Sequence, residues 1–164
     1  MAALTHDFDL AGLRLSAGEG RRLELDVGIQ PLTLGSERYA AEPGRVPVEL
    51  GISRMTGGGF ALRLTFTAAV SGPCMRCLGA AAPSVAVEAR EVDVPGGGEE
   101  MSSPYVHDET LDLAGWARDA FALAMPSTIL CRPECAGLCP VCGTYAGREI
   151  VTPGAHGHDH EHDE

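Results

Sequence analysis

The sequence predicts an α+β fold: an antiparallel β-sheet with one helix packed on it, stapled by a cysteine-ligated zinc site and followed by a disordered, acidic, His-rich tail. Three observations lead there. Phe60, Leu62, Leu64, Phe66, Ala68 and Val70 alternate with their neighbours over eleven residues, the period of a half-buried strand. Leu113, Trp116, Ala117, Ala120, Phe121 and Ala124 instead recur at helical spacing. The six cysteines fall into two groups, Cys74-Met-Arg-Cys77 and Cys131-x3-Cys135-x3-Cys139-Pro-Val-Cys142, whose spacing suits metal ligation.

In order along the chain, Phe8, Leu10, Leu13 and Leu15 mark a short strand or extended arm. Leu23, Leu25 and Val27 alternate with Arg22, Glu24 and Asp26, and Val46, Val48, Leu50 and Ile52 repeat the pattern. Pro47 donates no ladder bond and so points to an edge strand or a strand start. Gly57-Gly58-Gly59 makes a turn into the strong strand that ends at Val70. A return strand covers Ser84 to Val94, where the parity change at Val92 and Val94 predicts a bulge near Arg90-Glu91. Residues 95–104, with three glycines, read as a loop. The helix spans Leu111 to Met125, with Thr110 or Asp112 as its cap and Pro126 as its stop. Its Trp116 is expected to anchor it on the sheet. Residues 1–150 form the domain; residues 151–164, with His156, His158, His160 and His162 among Gly, Asp and Glu, lack apolar anchors.

Composition narrows the function. No secretory signal is visible and no apolar stretch approaches membrane-span length, so a cytoplasmic protein with no membrane partner is expected. A reducing compartment disfavours disulfides. The formal net charge is −11 and lysine is absent. That balance disfavours direct RNA binding, which draws most of its affinity from neutralised phosphates, and favours a basic protein partner.

A Cys-x2-Cys turn converges two thiolates on one tetrahedral ion at about 2.3 Å from each sulfur. Zinc needs four such ligands, so Cys74, Cys77, Cys131, Cys135, Cys139 and Cys142 allow three arrangements. Cys74/Cys77 pair with Cys139/Cys142, or with Cys131/Cys135, or the downstream quartet closes on itself, which crowding disfavours.

Cys74-Met-Arg-Cys77-Leu78, then Leu111-Asp-Leu leading to Ala124-Met-Pro126, then Leu130-Cys131-Arg-Pro-Glu-Cys135-Ala-Gly137-Leu138-Cys139-Pro-Val-Cys142-Gly143 together resemble the bacterial YceD family, the large ribosomal RNA subunit accumulation proteins. The likeness runs from about residue 8 to residue 147, and Ser103-Pro-Tyr-Val106 and Trp116-Ala-Arg-Asp119 are similar to its high-GC Gram-positive branch. The resemblance implies a role in synthesis, processing or stability of large-subunit ribosomal RNA, and a gene often beside that of a small basic ribosomal protein. Relatives that keep the upstream pair but carry a His/Cys pair near Cys131 and Cys135 imply those positions as ligands. The chain departs from the family after Gly143, where Thr144-Tyr-Ala-Gly147 replaces an Asn-Leu-Asn-like continuation.

The expected function is therefore a zinc-binding accessory protein of ribosome assembly, not an enzyme, acting on a basic ribosomal protein or assembly factor, with no small-molecule substrate. The alternative is a metal-dependent hydrolase or nuclease in ribosomal RNA processing. It would need an open zinc position and a general base, for which His107, Asp108 and Glu109 are the nearest candidates.

Overall fold

The computed structural model describes residues 5–138. Ten strands and one α-helix follow in the order β1 (Asp7–Asp9), β2 (Gly20–Gly28), β3 (Leu32–Leu34), β4 (Glu37–Glu42), β5 (Arg45–Arg54), β6 (Phe60–Pro73), β7 (Ala80–Ala81), β8 (Ser84–Asp93), β9 (Val106–His107), β10 (Thr110–Asp112) and α1 (Leu113–Ala124). The antiparallel sheet and its single helix match the expected fold class. The acidic tail, from residue 151, lies outside the described residues.

β6 carries the sheet. Its first half pairs with β5 from Phe60↔Arg54 to Thr65↔Glu49, and its last residues pair with β4 at Ala69↔Glu42 to Ser71↔Ala40. Its other edge pairs with β8 from Phe60↔Asp93 to Ala69↔Ser84, then with β7 at Gly72↔Ala81. The strict alternation of β6 buries Phe60, Leu62, Leu64, Phe66, Ala68 and Val70. Val46, Val48, Leu50 and Ile52 of β5 and Val85 and Val87 of β8 share that core.

Against this face lies α1, which buries Leu113, Trp116, Ala117, Ala120 and Phe121. Phe121 stacks on Phe66 with ring centroids 6.5 Å apart. Trp116 is buried and stacks on Tyr105 at 6.2 Å, and the Tyr105 hydroxyl donates to Asp119 Oδ2 at 2.8 Å. Trp116 is thus a core anchor, as its place in the helical period implied. Asp112 caps the helix by accepting from the Gly115 amide at 3.0 Å. Met125 turns extended at ψ 141° ahead of Pro126 and ends it.

Several expectations need correction. The β6–β8 register is continuous, so no bulge occurs at Arg90-Glu91. Val92 simply faces outward with Glu88 and Arg90, where half-exposed apolar residues are common. β5 is not an edge strand, because β2 and β6 flank it. Pro47 instead lies near its start, opposite Asp26 of β2 and before the pairing with β6 begins at Glu49. The segment 31–42 contributes the hairpin β3–β4, whose alternation is too short to stand out. Asp108 and Glu109 lie ahead of the helix, but between two strands. They form the two-residue turn of the β9–β10 hairpin at φ 50° and 59°, held by Arg54 Nη1 to Glu109 Oε1 at 3.4 Å.

The C-terminal end of β6 is fixed by a tight contact. Tyr39 of β4 is buried, donates its hydroxyl to the Pro73 carbonyl at 2.8 Å, and lays its ring against Gly72. A Cβ at Gly72 would overlap that ring. Gly72→Ala should therefore cost about 1–3 kcal/mol, the scale of overpacking in a filled core. Urea unfolding checks it, and an unchanged midpoint would show that Tyr39 swings aside freely.

Candidate metal centre

β6 ends at Pro73 and delivers Cys74 to a turn that returns through β7. The Cys74 amide donates to the Gly79 carbonyl at 2.7 Å, and the Leu78 amide donates to the Cys74 carbonyl at 2.9 Å. Leu78 takes a left-handed φ of 63° to close this turn. The Gly79 amide then points at Cys77 Sγ, 3.4 Å away. Backbone donors aimed at sulfur are what a thiolate ligand requires.

The second group reaches the knuckle from the helix exit. Beyond Pro126, the Met75 amide donates to the Ile129 carbonyl at 2.8 Å, and the Ile129 amide points at Met75 Sδ at 3.3 Å. Ile129 is fully buried. Arg76 Nη1 donates to the Cys135 carbonyl at 3.0 Å. Gly137, at φ 80°, passes beside the Arg76 backbone; a side chain there would be strained by its own dihedral. Met75, Arg76 and Ile129 are positioning residues that sequence spacing did not reveal, because each contact spans more than fifty residues.

The Sγ atoms of Cys74, Cys77, Cys131 and Cys135 all lie within 4.8 Å of one another. Cys74 and Cys135 sulfurs are 3.7 Å apart, and those of Cys77 and Cys131 are 3.8 Å apart. Disulfide sulfurs sit at about 2.05 Å, so these are free thiols. A tetrahedron with metal–sulfur bonds of about 2.3 Å has an edge of ~3.8 Å. The set therefore fits a four-coordinate ion. Of the three arrangements open to the six cysteines, it is the one that joins Cys74/Cys77 to Cys131/Cys135. Cys139 and Cys142 lie outside the described residues.

The electrostatics differ from sulfur to sulfur. Burial pushes the Cys74 thiol up, but backbone amides of Cys77, Cys131 and Arg76 favour its thiolate and bring it down to about 6. At Cys77 the Gly79 amide favours the thiolate, but burial and competition with Cys74 and Cys135 leave the group raised. Burial and hydrogen bonding to the thiols of Cys135, Cys77 and Cys74 push Cys131 up to about 12. The metal-free cluster thus holds one ready anion, at Cys74. Among the described residues, no helix is long and apolar enough to cross a membrane.

With the site in view, the comparisons decide the kinship. The model of the family described as "Large ribosomal RNA subunit accumulation protein YceD" matches residues 62–163. The chain belongs to the YceD family. The matched span takes in β6 from Leu62 onward, the knuckle, the helix and all six cysteines. Uncharacterised proteins of Mycobacterium bovis and Mycobacterium tuberculosis are 33% identical to the chain over 156 residues, covering 90% of it and 72% of the relative. One from Mycobacterium leprae is 36% identical over 105 residues, covering 58% of the chain and 45% of the relative. These relatives accord with the high-GC Gram-positive branch of YceD. No solved structure matches the chain.

The Cys74 shift carries a pH consequence. Its folded value lies below the ordinary 9.0, so in the metal-free protein its ionised form stabilises the fold above that range, and the contribution is lost as pH falls through about 6. Thiolate absorbance of the metal-free protein should show one step near pH 6 that is missing in Cys74→Ser. A first step near the ordinary thiol value would show that the amides do not hold the sulfur.

Proposed function

We propose that this protein is a zinc-stapled accessory factor in the accumulation of large-subunit ribosomal RNA, acting in the cytoplasm by binding a basic ribosomal protein or assembly factor. Membership of YceD supplies the ribosomal context. The observation that carries the structural half is the four-sulfur cluster, whose edges of 3.7 and 3.8 Å fit tetrahedral zinc.

Zinc held by four thiolates has no vacant position for substrate or water, which is the pattern of structural sites; catalytic sites keep one open. That donor set favours the non-enzymatic reading over a hydrolase or nuclease. His107, Asp108 and Glu109 sit on the β9–β10 hairpin, and none of them belongs to the sulfur cluster.

The surface supports a protein partner of opposite charge. On the outer sheet face, Glu24, Glu49 and Glu88 fall in one row across β2, β5, β6 and β8, with Thr65 between the last two. Arg22 already pairs with Glu49, and Arg63 and Arg90 with Glu88, so Glu24, directly opposite Glu49, is the carboxylate of the row that a cationic partner would relieve. Arg22, Arg54, Arg63, Arg90 and Arg118 already lie within 3.1 to 3.7 Å of carboxylates, which leaves them less available to phosphate.

Three measurements follow. Elemental analysis should find about one zinc per chain, lost in Cys74→Ser and Cys77→Ser but kept in the Cys139→Ser/Cys142→Ser double variant. A structural zinc of this kind contributes on the order of 10 kcal/mol to folding. A strong chelator should therefore loosen α1 and red-shift the fluorescence of Trp116, with zinc restoring it. An unchanged spectrum after verified metal removal would make the staple local. In cells, loss of the protein should lower large-subunit relative to small-subunit ribosomal RNA, and Cys74→Ser should fail to restore the ratio. An unaltered ratio on depletion would sink the ribosomal role.

A further inference from the structure

The four sulfurs of the cluster differ in access. Cys74 and Cys135 are 0% and 1% exposed, whereas Cys131 is exposed and Cys77 half-buried. The two short separations respect that division. Buried sulfur faces buried sulfur at 3.7 Å, and accessible sulfur faces accessible sulfur at 3.8 Å. Cys131 also borders a surface hollow of about 270 Å³ walled by Pro83, Pro126, Leu130 and Pro133. A small oxidant arriving from solvent meets one adjacent pair, Cys77 and Cys131, before it meets the other.

Resting on the zinc reading given above, we propose that Cys77 and Cys131 form an oxidation site for hydrogen peroxide, at which a disulfide replaces the metal. One accessible sulfur, which a bound zinc would keep deprotonated, attacks a peroxide oxygen. The O–O bond breaks, the sulfur becomes a sulfenic acid, and the departing hydroxide takes a proton from solvent to leave as water. The second sulfur then attacks the sulfenic sulfur, the S–S bond forms, and the S–O bond breaks to release a second water after protonation. Two electrons pass from the sulfur pair to the peroxide. Only Cys74 and Cys135 remain as thiolates, too few to close a tetrahedral site, and the ion leaves.

The geometry favours this pairing over the others. The two sulfurs need to close from 3.8 Å to about 2.05 Å. Cys131 is exposed and Cys77 half-buried, so this pair has more room to make that movement than the buried pair. The new bond would also join the same two chain segments, 54 residues apart in sequence, that the metal joins. Oxidation therefore exchanges one staple for another, and a thiol reductant reverses it.

The test uses the full chain and the Cys139→Ser/Cys142→Ser variant, which removes the two other thiols. Each is loaded with zinc, its metal content is measured, and it is treated with equimolar hydrogen peroxide. The expected result is release of one zinc per disulfide, a Cys77–Cys131 cross-linked peptide in non-reducing mass spectrometry, and renewed zinc uptake after dithiothreitol. Zinc retained after peroxide, or a disulfide mapped to Cys74–Cys135, Cys74–Cys77 or a downstream cysteine, would overturn the proposal. So would release accompanied only by sulfinic acids. A chain that never holds zinc would refute the metal reading alone, because the disulfide map still decides the oxidation site.

Discussion

The pairing of β6 on both of its edges is the constraint on which the structure depends. Along one edge this strand meets β5 and then β4; along the other it meets β8 and then β7. Every apolar side chain that it turns inward is buried, so its register fixes which face of the sheet receives the helix. The same strand ends where the knuckle begins. A one-residue slip would send Phe66 to solvent and displace Cys74 together with it.

Beyond Pro73 the hydrophobic core thins, and sulfur takes over from carbon as the means of joining distant segments. Met75 and Ile129 exchange backbone and thioether contacts, Arg76 reaches the Cys135 carbonyl, and the four thiols close the gap. The chain after the helix has few apolar residues to offer. Ile129 is fully buried, while residues 131–134 are exposed. A short segment of that kind cannot remain docked by burial alone. Four sulfurs closed on a metal would supply there what β6 supplies elsewhere.

Much of this was legible in the sequence, for physical reasons. Long alternation survives in β2, β5, β6 and β8 because one face of each is buried and the other wet. The helical period around Trp116 and the stop at Pro126 were equally plain. The β3–β4 and β9–β10 hairpins were not, since β3, β9 and β10 have only two or three residues and β4 buries only Tyr39 and Ala41. The Asp108-Glu109 turn was hidden because it lacks the glycine that two consecutive left-handed residues usually require. At the site, spacing marked the cysteines as candidate ligands but could not choose among their groupings. That choice depends on where the helix exit lands relative to the hairpin tip, which is a tertiary fact. The Arg76 and Met75 contacts were invisible for the same reason.

The separation of the sulfur pairs along the chain has a kinetic meaning. Cys74 and Cys77 are brought together by a single turn, but each must find a partner 61 or 54 residues downstream. Closing such a span costs roughly 2–3 kcal/mol more in chain entropy than closing the turn. Until β8 has paired with β6 and α1 has docked, that cost has nothing to offset it. The four-sulfur set therefore assembles after the slow, non-local contacts that limit the folding of β-rich domains. Metal capture by such a set would follow completed topology rather than precede it.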